Sequence, residues 1–376
     1  MSFSEWREVK LGDLLNFRRG HDLPKTKMLV GNIPVVGSNG VIGFHNEFTT
    51  KAPCLTIGRS GNIGNPCYIN KDSWAHNTSL YVDDFKGNDA KYLYYLLKTL
   101  NLGYYGGGSA VPTLNRNHIH PIEVMATLNK NEQQKIAATL SCIDNKIELN
   151  NRMNKTLEEI AQTIFKSWFV DFEPFQDGEF EDSELGMIPK GWRVGTLGEV
   201  IDLYDSMRKP LSSRVREQMK KKYPYYGATS LMDYVEDYIF DGIYVLLGED
   251  GTVVDDEGYP ILQYVWGKFW VNNHAHILKG KAGFNEDSIF MLLKNTNVHS
   301  IITGAVQLKI NQANLKSIKI IIPDKTVIIE YNELIRHLFD KKRAIEEENH
   351  LLIGIRDALL PKLMSGEIRV PIEEVQ

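Results

Sequence analysis

EQQKIAATLSCIDNKIELNNRMNKTLEEIAQTIFKSW, residues 132–168, contains no Pro or Gly and repeats apolar or amide side chains at spacings of four and three. Ile136, Leu140, Ile143, Ile147, Asn150, Asn154, Leu157, Ala161, Ile164 and Trp168 form the stripe. Residues three and four apart share a helix face, so the pattern predicts one long helix packed along another. An ordinary amphipathic bundle helix gives the same periodicity. The two Asn positions favour the seam, because a buried amide costs stability and fixes one register.

A second stripe lies near the C-terminus: Tyr331, Ile335, Leu338, Ile345, Asn349, Leu352, Leu359 and Leu363, interrupted by Lys342 and Arg356. Laid antiparallel with Ile136 opposite Leu363, the two stripes match along their length. Asn150 then faces Asn349, Ile147 faces Leu352, Ile164 faces Ile335 and Trp168 faces Tyr331. At about 1.5 Å per residue such a rod is on the order of 50 Å long.

Working outward, the chain repeats itself after about 190 residues. WREVKLGDLL from Trp6 returns as WRVGTLGEVI from Trp192, and IPVVGSNGVIGFHNEF from Ile33 returns as YPYYGATSLMDYVEDY from Tyr223. CLTIGRSGNIG from Cys54 returns as YVLLGEDGTVV from Tyr244, and SWAHNTSLYV from Ser73 returns more loosely as WVNNHAHILKG from Trp270. GSAVPTLNRNHIHPIEV from Gly108 returns as GAVQLKINQANLKSIKI from Gly304, and each half ends in a long helix. A period this long is duplication of a whole domain-plus-helix unit and excludes a short-repeat solenoid.

The globular part of each half reads as mixed α and β. β-branched or aromatic runs at 53–57, 68–69, 80–82, 243–247, 261–265 and 318–322 are bounded by turn residues, which predicts strands. Residues 90–100 and 286–294 read as short helices. The acidic, Pro- and Gly-containing stretch 171–191 reads as a linker, and Gly366 as the stop of the second long helix. The organisation expected is a first globular domain at 1–128, a spacer helix at 129–170, a linker at 171–191, a second domain at 192–324, a second spacer helix at 325–366 and a tail at 367–376. The fold class is α+β, with two globular domains in pseudo-twofold arrangement separated by an antiparallel coiled coil of two long helices.

Composition sets outer limits. The 376 residues are 43% hydrophobic and 24% charged, ordinary for a globular chain of two or three domains. No apolar run is long enough for a membrane span, and the N-terminus lacks a signal peptide's apolar core, so a cytoplasmic location without membrane association is expected. Cys54, Cys67 and Cys142 form neither a disulfide framework nor a zinc spacing. The net charge of −5 argues against a simple polyanion binder, but phosphate contacts need cations on one face only. Local basicity exists at 208–222, with Arg208, Lys209, Arg214, Arg216, Lys220, Lys221 and Lys222.

The catalytic motifs are weak. Asn65-Pro66-Cys67-Tyr68 approximates the Asn-Pro-Pro-Tyr/Phe tetrapeptide of adenine methyltransferases, but Cys replaces the second Pro and no glycine-rich cofactor loop accompanies it. The reading that fits is a turn. GYYGGG at 103–108 lacks the Gly-Lys-Ser/Thr of a phosphate loop and reads as a connection. His118-x-His120 and His274-x-His276 place two imidazoles on one face of a strand, without a Cys or carboxylate set to complete a zinc site. No catalytic, cofactor or metal residue is assigned.

KIELNNRMNKTLEEIAQTIFKSWFVDFEPF, the tail RDALLPKLMSGEIRV, and the W-x-x-x-x-LG-[DE] entry to each half resemble the specificity subunit of type I restriction–modification enzymes. The resemblance covers nearly the whole chain, including its duplicated order. It implies a non-catalytic DNA-recognition and scaffold subunit. Each globular half would be a target recognition domain reading one half of a bipartite double-stranded DNA site, and the helices would fix the gap and dock partners. It further implies two modification (methyltransferase) subunits using S-adenosylmethionine, and restriction subunits using ATP and Mg to translocate and cut DNA, with no cofactor bound by this chain. The alternatives are an autonomous adenine-N6 DNA methyltransferase working through residues 65–68 and a two-headed DNA-binding protein without enzymatic partners. Two heads on one rod would read two short sequences about one turn of DNA apart, or somewhat more.

Base edges are read by Arg on guanine, Asn or Gln on adenine, and Asp or Glu on cytosine. In the first half, Arg59, Ser60 and Asn62 follow a strand on a Gly frame, and Ser38 and Asn39 follow another. Arg18, Arg19, Lys25 and Lys27 lie in an early loop suited to phosphate or groove contact. The aligned second loop, Gly248-Glu249-Asp250-Gly251, is acidic, so the two heads should read different sequences. Phosphate contacts there are expected from Arg208, Lys209, Arg214 and Lys220, with Glu249 among the readers.

Overall fold

A computed structural model of the chain describes residues 6–107, 112–304 and 307–371; parts of both copies of the fifth repeat landmark, and the end of the tail, lie outside these. The chain divides into two compact units, residues 1–150 with 347–376 and residues 151–346.

The first unit contains β1 (Trp6–Lys10), β2 (Asn16–Arg19), β3 (Ile33–Gly37), β4 (Gly40–His45), β5 (Cys54–Gly58), β6 (Pro66–Ile69), β7 (Trp74–Ala75), β8 (Ser79–Asp84) and β9 (Glu123–Thr127). They form a β1–β9 pair, a sheet ordered β2-β8-β5-β6 and a sheet ordered β4-β3-β7. β5 is buried at every position, as an unbroken apolar run between two neighbours requires. Helix Ala90–Thr99 packs on this sheet and is capped by Asp89, whose carboxylate accepts from the Lys91 and Tyr92 amides. Phe17, Leu55, Ile57, Tyr92 and Leu96 join Ile136 and Leu140 of the first long helix and Leu363 of the second in one core.

The second unit contains β10 (Phe180–Ser183), β11 (Gly186–Pro189), β12 (Arg193–Thr196), β13 (Ile201–Leu203), β14 (Tyr223–Tyr226), β15 (Leu231–Val235), β16 (Phe240–Asp241), β17 (Tyr244–Gly248), β18 (Leu262–Val265), β19 (Lys268–Val271), β20 (Ala275–Gly280) and β21 (Lys319–Ile322). The plan repeats: a β12–β21 pair, a sheet ordered β13-β20-β17-β18 and a sheet ordered β15-β14-β19-β16. The stretch read as a linker is instead ordered. After Phe172, in the left-handed region at φ 56°, it folds into the β10–β11 hairpin. Its aromatics supply the reason: Phe172 and Phe175 pack on Trp192 at 5.6 and 5.0 Å between ring centroids.

The long helices run Lys130–Phe169 and Lys325–Ser365, and Gly366 at φ 77° ends the second. Within the first unit they run antiparallel. Asn150 Nδ2 donates to Asn349 Oδ1 at 2.9 Å and to the Glu348 carboxylate at 2.8 Å, and Lys146 Nζ donates to Asn150 Oδ1 at 3.0 Å. Ile143, Ile147, Leu352 and Leu359 are half-buried, as in a two-helix seam with little else to cover it. Within the second unit the Trp168 and Tyr331 rings meet at 5.8 Å between centroids, tilted by 53°, and Ile164, Ile335 and Leu338 share one core. Ile345 is buried, Asn154 is 8% exposed and Leu157 is half-buried. Phe165 and Phe339, outside both stripes, are buried as well, because here the pair also packs on the globular core.

The two interruptions of the second stripe are ion pairs. Arg356 meets Asp144 at 3.1 Å in the first unit, and Lys342 meets Glu158 at 2.5 Å in the second. Burial opposes ionisation of Glu158, but Lys342 and Lys294 outweigh it and hold its carboxyl below the usual range. Among the described residues no helix is long and apolar enough to cross a membrane.

Candidate nucleic-acid interface

In the first unit, three loops converge on residues 76–78, between β7 and β8. The loop after β5 is tied there by Arg59 N donating to Thr78 O at 2.8 Å and Ser60 N to the same oxygen at 3.2 Å. The β3–β4 turn is tied by Ser38 N donating to Thr78 Oγ1 at 3.3 Å and His76 N to Val36 O at 2.9 Å. The loop after β2 joins through Asn77 Nδ2, which donates to the Asp22 carboxylate, and through His21 N, which donates to Ala75 O. Gly58 is required: a Cβ on it would lie 1.8 Å from Asn62 O, so only glycine lets the loop close on itself.

This assembly brings Ser38, Asn39, Arg59, Ser60 and Asn62 together. Asn39 and Asn62 are exposed, and Ser38, Arg59 and Ser60 are half-buried. Arg59 Nη1 lies 3.5 Å from Asn77 O, and among the described residues Arg59 has no carboxylate partner. Arg18 is paired with Asp83, and Arg19 lies 3.5 Å from Asp22, both still more than half exposed. Lys25 and Lys27 stand on the exposed turn Lys25–Lys27.

The second unit builds the same junction at residues 272–274. Asn272 N donates to Tyr226 O at 3.0 Å, as His76 does to Val36, and Glu249 N donates to His274 O at 2.8 Å, as Arg59 does to Thr78. The side chains differ. Glu249, at the position of Arg59, accepts from Arg208 Nη1 at 2.6 Å and lies 3.2 Å from Lys309 Nζ. Burial pushes its carboxyl up, but Arg208 and His276 hold it below the usual range.

Arg208 departs from the expected phosphate contact. Its side chain is 14% exposed, and it donates to the Asp205 and Ala275 carbonyls at 3.0 and 2.7 Å as well as to Glu249. The guanidinium is enclosed by acceptors of its own chain, so it holds the junction together. Lys209, Arg214 and Lys220 are exposed and, among the described residues, in no ion pair. Asp250, at the position of Ser60, meets His274 Nδ1 at 2.7 Å.

The ligand atoms of Asp205, Glu249 and His276 lie within 4.8 Å of one another, close enough to bracket a cation. Their neighbours already meet that charge. His276 places Nδ1 2.5 Å from Asp205 Oδ2 and Nε2 2.7 Å from Ile310 O, while Arg208 and Lys309 face Glu249. Burial works against ionised Asp205, and His276 more than offsets it, so its carboxyl titrates low. The donor set fits an internal ion network.

The other sequence candidates fall elsewhere. His118 and His120 are not on a strand: the first lies on the short helix Arg116–Ile119 and the second follows it, its Nε2 accepting from Phe17 N at 3.1 Å. Burial, reinforced by Arg116 and Lys86, lowers the His120 pKa. Pro66, Cys67 and Tyr68 lie in β6, paired with β5, and Tyr68 carries Lys91 over its ring at 4.2 Å. Leu102–Tyr105 is a single helical turn. Of the junction residues, the sequence reading names only His274, as half of a histidine pair; Asn77, Thr78 and Asn273 carry no signal of their own, although they lie in its loosest repeat landmark.

Comparison with known proteins agrees with this duplicated plan. Residues 3–159 and 189–347 each match the Type I restriction modification DNA specificity domain. Over 308 residues the chain is 31% identical to the type I restriction enzyme MjaIX specificity subunit of Methanocaldococcus jannaschii, covering 75% of this chain and 69% of that one. A putative type I restriction enzyme specificity subunit of Haemophilus influenzae is 39% identical over 134 residues, 36% of this chain and 34% of that one. The crystal structure of a type I restriction-modification S subunit from M. genitalium matches with a TM-score of 0.64 at 18% identity, over 97% of each chain.

Proposed function

The chain belongs to the type I restriction modification DNA specificity family, and from that premise we propose that it reads a bipartite double-stranded DNA site, one half with each loop junction. It is a recognition subunit and is non-catalytic. The observation that carries the reading is the pair of junctions at residues 76–78 and 272–274. The same backbone hydrogen bonds recur while the presented side chains change from Arg59 and Ser60 to Glu249 and Asp250. Duplicated scaffolds with divergent tips are what two different half-sites require.

The target recognition domains are then residues 1–128 and 192–324, with the long helices as the spacer. The helices Lys130–Phe169 and Lys325–Ser365 would set the unread gap by their length. Leu149, Leu351 and Ile355 in the first unit, and Met153, Ile160 and Leu334 in the second, are exposed apolar side chains on these helices. They offer apolar contact to partner subunits; on the family reading these would be two modification subunits that use S-adenosylmethionine, joined by restriction subunits using ATP and Mg. An autonomous methyltransferase at Asn65–Tyr68 finds no support, since three of the four residues are committed to β6.

The test is a map of methylated adenines in cells expressing this chain with its modification subunits. The expected motif has two unlike half-sites and a fixed gap. Adding one helical turn to both long helices should alter the gap and leave the half-sites as they were. Altered half-sites with the old gap would overturn the spacer role, and methyl transfer by this chain alone would overturn the non-catalytic one.

A further inference from the structure

Each unit carries an exposed apolar hairpin at the same place, and each hairpin has a β-bulge at the same residue. In β3–β4, Val35 pairs with Gly43 and Val36 with Val41, which leaves Ile42 as the extra residue. In β14–β15, Tyr225 pairs with Asp233 and Tyr226 with Leu231, which leaves Met232. A bulge re-aims a side chain, and repeated bulges are built features. Both bulged residues are apolar and exposed, Ile42 at 36% and Met232 at 54%, and an exposed aromatic follows two positions on, Phe44 at 56% and Tyr234 at 40%.

The bulged side chains lie over glycines beside the loop junctions. A Cβ on Gly37 would stand 3.2 Å from Ile42 Cδ1 and 3.0 Å from Thr78 Oγ1, and one on Gly227 would stand 2.4 Å from Met232 Sδ. Asn272 Nδ2 reaches Met232 Sδ at 3.4 Å. Cations flank both hairpins. Met28, directly after the Lys25–Lys27 turn, brings its sulfur to where a Gly43 Cβ would be, at 3.0 Å. Helix Ser213–Glu217 is tied to β15 by Arg216 Nε and Asp233 Oδ2 at 3.0 Å, with Arg214 exposed beside it. An apolar strand face between cations suits a polyanion with an apolar group inside its groove. The major groove of DNA admits a two-stranded ribbon, and the thymine 5-methyl is the apolar group on its base edges.

We propose that Ile42 with Phe44, and Met232 with Tyr234, are apolar base readers, each set packing on a thymine 5-methyl of its own half-site in the major groove. The proposal rests on the DNA-reading function above. Its test uses the full chain assembled with its modification subunits and duplexes carrying the mapped site, in which thymines are replaced one at a time by deoxyuridine. This removes the methyl and keeps every hydrogen-bonding group. One thymine in each half-site should show an affinity loss of about fourfold on replacement, the worth of one buried methyl.

In Ile42→Ala the penalty in the first half-site should vanish while that in the second persists, and Met232→Ala should do the converse. The untouched half-site reports that each variant is folded and assembled. Penalties that persist unchanged in both variants, or the absence of any thymine whose methyl is felt, overturn the proposal. Indifference of the unmodified complex to scrambled half-sites would instead overturn the DNA-reading function itself.

Discussion

Arg208→Ala separates two roles that a cation near DNA can have. The Arg208 side chain is 14% exposed, with Glu249 at 2.6 Å and backbone carbonyls of Asp205, Ala275 and Asn273 at 3.0, 2.7 and 3.3 Å. Removing one partner of a buried ion pair costs about 3–5 kcal/mol. Glu249 keeps Lys309 at 3.2 Å, so the lower end, about 3 kcal/mol, applies. A body the size of the second unit loses about 2–4 °C per kcal/mol, so its melting temperature should fall by about 6–12 °C. Adding Glu249→Gln should return part of the loss, because the orphaned charge is then gone. Arg214→Ala, at an exposed cation, should leave the melting temperature alone and lower the slope of log affinity against log salt by about one. If Arg208→Ala melts as the parent does and lowers the salt slope by about one, Arg208 is a phosphate contact and the scaffold assignment is wrong.

Arg59→Ala should weaken discrimination at the first half-site by about 1–3 kcal/mol and leave the second unchanged, read by methylation mapping; an unaltered motif would remove Arg59 from the readers. In the seam, Asn150→Leu takes from Asn349 Oδ1 a donor at 2.9 Å and from Glu348 one at 2.8 Å, and should cost about 1–2 kcal/mol net. The double variant Asn150→Leu/Asn349→Leu should recover that loss but admit shifted disulfide registers between the helices; strict additivity in a thermal double-mutant cycle would contradict a coupled amide layer. Asp287 is driven by burial up to about 6, with Tyr264 donating to it at 2.5 Å. The folded chain therefore holds a proton that the unfolded chain has released between about pH 4 and about pH 6, so stability falls as pH rises through that window and stays reduced above it. Asp287→Asn should flatten this fall, worth up to about 3 kcal/mol; urea midpoints of both proteins across the window decide, and parallel pH profiles would refute it.

What could be read from the chain was what repeats locally. The helix Glu286–Lys294 has the expected bounds, and Asn150 meets Asn349, because a helical stripe needs only its own spacing and one partner of the same kind. Arg208 reads as a phosphate contact in the sequence because its partner Glu249 stands 41 residues on and the Asn273 and Ala275 carbonyls farther still, so the run 208–222 looks like a solvated basic face until the sheet closes. Phe165 and Phe339 fall outside both stripes because a two-helix stripe takes no account of a third body on the seam. The stretch 171–191 reads as a linker by its acidic residues, Pro and Gly, whereas Phe172 and Phe175 order it by packing on Trp192. The bulges at Ile42 and Met232 depend on cross-strand register, which one strand's sequence does not encode.

On the proposed DNA-reading function, the two junctions would let one scaffold hold two specificities. Their framework is backbone: residues 59 and 249 donate to the carbonyls of residues 78 and 274, residues 76 and 272 donate back into the neighbouring hairpins, and Gly61 and Gly251 turn at φ 83° and 87°. None of these bonds depends on which side chain stands at 59 or 249, so the presented group can change while the loop keeps its place. The change does have an electrostatic condition. Glu249 is 14% exposed at its side chain, and an uncompensated carboxylate there would destabilise the loop that presents it. Arg208 and Lys309 meet that condition in the second unit, whereas half-buried Arg59 keeps access to solvent. A Glu249→Arg exchange alone would place two guanidiniums together, so grafting the first loop into the second unit requires replacing Arg208 in the same step. On the proposed reading, specificity would be inherited as a loop together with its counter-charge.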